Sequence, residues 1–82
     1  YRRGVMKQNC LIGQHIATGY PVEIVLNAKE MQLATVSGPY INRCWEYMCE
    51  SLDSRGEPGK DLMQGNIELD YIVVEGEVKD FH

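Results

Sequence analysis

No apolar run in this chain approaches the ~20 residues that a membrane-spanning helix needs, and Tyr1-Arg2-Arg3-Gly4 is not followed by the apolar stretch of a secretory signal. The expectation is an intracellular protein, cytoplasmic or nuclear, with no membrane partner. There is no CxxC pair, and the three cysteines, Cys10, Cys44 and Cys49, cannot all pair within one chain. Buried thiols in a reducing compartment are the default reading. The two histidines, His15 and His82, stand far apart and no four-ligand cluster accompanies them, so neither a metal nor a cofactor is expected. G-x-S-x-G, H-E-x-x-H and phosphate-loop spacings are all missing. The sequence therefore points away from an enzyme and names no catalytic residue.

What is present is enough for one small domain. The chain has 82 residues, 44% hydrophobic and 24% charged, close to globular averages. Residues 5–82 are read as a single domain and residues 1–4 as a tail outside it. The net charge of −4 is unevenly spread. Residues 1–45 carry five cations against Glu23 and Glu30, whereas residues 46–82 carry Arg55, Lys60 and Lys79 against ten acids, a balance of −7. Broad polyanion binding is disfavoured, because Lys and Arg supply most nonspecific affinity for nucleic acid. The asymmetry favours contact between the positive half of one copy and the negative half of another.

Periodicity gives a provisional order of elements. Residues 22–26 alternate with Val22, Ile24 and Leu26 on one face, a half-buried strand begun by Pro21. A short connection over 27–30 then leads to a second alternating stretch over 31–36, which together predict a β-hairpin. Residues 54–61 hold Gly56, Pro58, Gly59 and four charges and read as an exposed loop. Residues 67–74 begin as strict alternation and end as an apolar run, suiting a strand that enters deeper cover, and Gly76 permits a bend into a last short strand through Val78 and Phe81. Residues 5–17 read as a short amphipathic helix. Residues 40–52 fit two templates. Ile41, Cys44, Trp45, Met48 and Leu52 have helical spacing, with Ser37 and Pro39 placed to start a helix and Gly56 to end it; extended, Ile41, Arg43, Trp45, Tyr47 and Cys49 would share one face.

Read as strands, this order of parts resembles the Sm and LSm family, bacterial Hfq included, over about residues 10–81. Residues 20–26 match its first strand, Pro39-Tyr40-Ile41-Asn42 its third-strand entry, residues 51–56 its variable loop, and residues 70–81 its last two strands. The resemblance implies a mainly β fold, with a short N-terminal helix followed by a strongly bent five-stranded antiparallel sheet or small barrel. The alternative is an α+β fold with a helix at 39–53. Family glycines are replaced here by Ala28 or Lys29 and by Ala34, and Glu75-Gly76 stands where the family's pocket carries Arg-Gly.

The resemblance implies RNA contact by Tyr40 and Asn42, an aromatic for base stacking and an amide beside it. Glu75 weakens it, since a carboxylate repels phosphate. The sequence-level expectation is a non-enzymatic oligomerising adaptor or scaffold in an RNA-related or regulatory assembly, joined to further copies or related subunits through strand edges. Trp45, Tyr47 and Glu75 are its candidate partner contacts, aromatics being common in binding hot spots. The α+β alternative implies an acidic binding module, of inhibitor or antitoxin type, that presents carboxylates to a basic partner. Glu46 and Glu50, four apart, would share a helical face and read as solvated rather than catalytic. Cys44 and Cys49 beside Trp45 read as packing.

Overall fold

The computed structural model describes residues 8–80. Strands β1 (Asn9–His15), β2 (Pro21–Leu26), β3 (Ile67–Val74) and β4 (Glu77–Asp80) form one open antiparallel sheet in the order β2-β1-β3-β4. Helices α1 (Ala28–Ala34), α2 (Ile41–Ser54) and α3 (Gly59–Met63) fall between the two hairpins. The architecture is α+β, with the helix reading of residues 39–53 in place of the extended one. Among the described residues there are four strands rather than five, and the sheet does not close into a barrel.

Local expectations are corrected over 31–36 and 5–17, and the open choice over 40–52 falls to the helix, each for a physical reason. The stretch 31–36 is not a strand, because Asn27 starts a helix. Its Oδ1 accepts from the Glu30 N–H at 2.7 Å while its own N–H donates to Glu30 Oε1 at 3.0 Å, a reciprocal capping box. The residues that follow are mostly strong helix formers, which outweigh a six-residue alternation. The described part of 5–17 is strand rather than helix, residues 5–7 lying outside the described residues. Cys10 and Leu11 are adjacent and both buried, on opposite faces of a strand that is paired along both of its edges. Residues 40–52 are helix because Met48, Cys49 and Leu52 must all reach the core, which only a 3.6-residue period allows. The loop expected over 54–61 is shortened by the start of α3. The bend at Gly76 and the last strand are present, with Phe81 outside the described residues.

The core lies between one sheet face and the helices. Leu11, Val22, Ile24, Leu26, Ile67, Leu69 and Ile72 meet Met48, Cys49, Leu52 and Leu62 there. Along β3 the buried positions switch phase, from Ile67 and Leu69 to Ile72. The pairing explains this: Gly13 opposes Leu69 whereas Ile12 opposes Tyr71, so Asp70 is an extra residue bulged out of the ladder. A Cβ on Gly13 would sit on the Glu68 carbonyl and 3.0 Å from Leu69 Cα, which requires glycine opposite this irregularity.

One polar side chain is fully buried among the described residues. Glu30 is 0% exposed and receives Ser51 Oγ at 2.6 Å, Arg55 Nε at 3.0 Å and Arg55 Nη2 at 2.6 Å. Arg55 Nη2 also donates to the Val25 carbonyl. The clasp therefore joins the first turn of α1, the end of α2 and strand β2. Hydrogen bonding from Arg55, helped by Ser51 and Asn27, outweighs desolvation and lowers the Glu30 pKa from 4.5 to about 2. Because the folded value lies below the unfolded one, the stabilisation is complete above pH about 4.5 and is lost as pH falls through about 2. The free-energy gap between the native protein and Glu30→Gln, measured by urea unfolding at stepped pH, should shrink across that window. Arg55→Met should cost on the order of 2–3 kcal/mol at neutral pH, less than a fully buried pair because Arg55 is partly solvated.

Candidate functional site

The face of α2 turned from the core is the most chemically distinctive surface. Met48, Cys49 and Leu52 fix the helix's rotation by entering the core. Glu46, Glu50 and Asp53, spaced i, i+4 and i+7, then fall on one exposed stripe. Arg43 and Tyr47 flank it, and Tyr47 is 48% exposed. Hydrogen bonding to Tyr47, reinforced by Glu46, raises the Arg43 pKa further, so this cation stays charged. Among the described residues both ion pairs are made by Arg55, to Glu30 and Glu57. Glu46, Glu50 and Asp53 thus face solvent without a salt-bridged cation.

A groove of about 190 Å³ runs beside this stripe, between α2 and α3, lined by Cys49, Glu50, Asp53, Gly59, Lys60 and Met63, with Gln64 at its end. It exists because Gly59 brings the first turn of α3 against the α2 backbone. A Cβ there would strike the Cys49 carbonyl and lie 2.8 Å from the Asp53 nitrogen. Met63, 41% exposed, contributes an apolar side chain to a lining that also holds the Glu50 and Asp53 carboxylates and Lys60. Burial, with Glu46 nearby, pushes the Cys49 thiol up to about 11. It stays protonated near neutrality and is a packing group rather than a nucleophile.

The residues singled out from sequence do not assemble into one site. Asn42 and Trp45 do meet, in a separate groove of about 410 Å³ between the end of α1, the start of α2 and the sheet, where Leu33, Ile41, Ile72 and Asp80 also lie. Tyr40 is exposed at the N-cap of α2. Tyr47, two residues from Trp45, falls on the other side of the helix, as i, i+2 neighbours must. Glu75 lies in the β3–β4 turn, its N–H donating to Asn9 Oδ1 at 2.8 Å. A third cleft lies at the β1–β2 end, where Ile16 and Tyr20 are exposed near His15, Asp61 and Asn66. No group of three or more metal-ligating side chains occurs among the described residues. No described helix is long and apolar enough to cross a membrane.

Sequence reading assigned Gly59 to a loop and singled out neither it nor Met63 as a site residue. The signal for Gly59 was weak, since a glycine after proline marks a turn as readily as a helix contact. Gly59→Ala should lower stability by about 1–3 kcal/mol through overpacking, whereas Lys60→Ala should stay within about 0.5 kcal/mol. Urea titration of both variants checks this. Comparison with protein-family models, with curated proteins and with solved structures finds no match for this chain.

Proposed function

We propose that this chain is a non-enzymatic protein-binding module that presents the carboxylates of α2 to a basic partner. The observation that carries the reading is the stripe of Glu46, Glu50 and Asp53, solvent-facing and without a salt-bridged cation among the described residues, beside a groove that Met63 helps to line. An arginine or lysine has matching chemistry: its aliphatic stem lies on apolar surface while its charged head reaches the carboxylates. Tyr47 adds an exposed aromatic of the kind enriched at interface anchors. Such contacts set recognition and encounter rate more than raw affinity, and they weaken with salt.

The oligomerising adaptor is a second reading, and one observation favours it. Strand β4 is a sheet edge exposed along its whole length, and such edges pair readily with another strand. RNA contact at Tyr40 and Asn42 has less support, since Asp80 shares the Asn42 groove and no cation lines it.

Titration of isotope-labelled protein with an arginine-rich amphipathic peptide, followed by amide chemical shifts, tests the main reading. Perturbations should gather on residues 43–54 and 59–64 and fade at high salt. Glu46→Gln, Glu50→Gln and Asp53→Asn together should weaken binding at least about tenfold with unchanged circular dichroism. Shifts scattered over the sheet, or a response to oligouridine rather than to the peptide, would overturn it.

A further inference from the structure

We infer that β4 is a self-complementary edge that pairs antiparallel with β4 of a second copy, about a two-fold axis through Val78. The inference rests on the self-association reading above and gives it an atomic register.

Hydrogen-bond phase comes first. The turn between β3 and β4 is the two-residue pair Glu75-Gly76, with φ of 51° and 86°, the signature of a type I′ hairpin. In such a hairpin the flanking residues, Val74 and Glu77, exchange both backbone hydrogen bonds. Bonded and non-bonded pairs alternate from there. Val78 opposite Val73 is therefore a non-bonded pair, and the Val78 N–H and C=O point away from β3, toward the open edge. Asp80, opposite Tyr71, has the same phase. A second strand laid against this edge finds its first donor and acceptor on Val78 itself.

Charge then selects the register. With Val78 opposite Val78 of the partner copy, Glu77 opposes Lys79 twice, once on each side of the axis, in non-bonded pairs where side chains approach most closely. Centring the axis on Lys79 would oppose two lysines, and centring it between Val78 and Lys79 would oppose Glu77 to Asp80. Both alternatives place like charges face to face, which is destabilising. The Val78 register also continues an existing feature. Val25, Cys10, Val73 and Val78 are consecutive cross-strand partners, so the axis would extend this apolar row through the same row of the second copy.

The opposite edge of the sheet is partly blunted. On β2 the Val25 carbonyl is held by Arg55, and the strand opens with Pro21. Pairing of β4 with β4 about a two-fold axis is isologous and uses up that edge in both copies, so it closes as a dimer rather than growing into a fibre. The strand is short, and the interface falls below the ~1,000 Å² of stable complexes, so the dimer is transient.

Sedimentation equilibrium of the full chain from about 10 μM to 1 mM should show a monomer–dimer equilibrium. Lys79→Glu or Glu77→Lys alone should weaken it at least about tenfold, and the double exchange should restore it by reversing both pairs. Val78→Pro removes only the outward N–H and should abolish the dimer while leaving the β3–β4 hairpin intact by chemical shifts. A strict monomer at 1 mM would remove both this register and the self-association reading. A dimer indifferent to all these changes would remove the register alone and leave self-association standing elsewhere.

Discussion

The buried carboxylate of Glu30 is the constraint from which much of this structure follows. A charged group with no exposure is tolerated only when its oxygens are fully partnered. Here the partners are Asn27 at the head of α1 and Ser51 and Arg55 at the end of α2, and Arg55 reaches on to a carbonyl of β2. The same side chain that caps its own helix start therefore fixes where α1 and α2 cross and how α2 lies relative to the sheet. Satisfying one buried charge sets the rotation of α2 together with its apolar stripe. It follows that the acidic stripe on the outer side is held on a rigid support rather than on a loop.

The second constraint is the bulge at Asp70. Without an extra residue there, Ile67 and Leu69 could face the helices only if Ile72 pointed away, because side chains alternate strictly along a strand. The bulge lets both ends of β3 contribute to one core. It also leaves Ile12, Tyr71 and the row through Cys10 on the other face, where no described helix covers them. Burial there pushes the Cys10 thiol up, with Glu23 adding to the effect, which keeps it an unreactive part of the sheet.

What could be read from the sequence divides along physical lines. The strand over residues 22–26 was legible because it lies at an edge with one face wet, which produces clean alternation. The central strand β1 was not, since burial of the adjacent Cys10 and Leu11 breaks that pattern and leaves a run that also suits a helix. For α1 the decisive signal, Asn27 followed three residues later by Glu30, was present but was overridden by an alternation of six residues. The middle segment supported two periods, and only the demand that Met48, Cys49 and Leu52 share a core separates them. Of the candidate contacts, Asn42 and Trp45 come together, but Tyr47 and Glu75 lie elsewhere. Chain order carries no information on which side of a helix faces the sheet. Arg55 was invisible for a related reason: its importance arises from partners 25 and 30 residues away.

The two ends of the sheet differ in a way that links these constraints. An open antiparallel sheet leaves two rows of unpaired backbone groups, each an invitation to association. At β2 the clasp that neutralises Glu30 spends one Arg55 hydrogen on the Val25 carbonyl, so the core's electrostatic requirement also blunts that edge. At β4 the tight Glu75-Gly76 turn brings the last strand back beside β3 with all four of its residues exposed. The fold thus separates its capacities in space. Charge for a basic partner sits on the helical layer, and backbone hydrogen-bonding capacity sits on the far sheet edge. Because the two proposed surfaces share no residue, occupation of one would not require the other to be vacant.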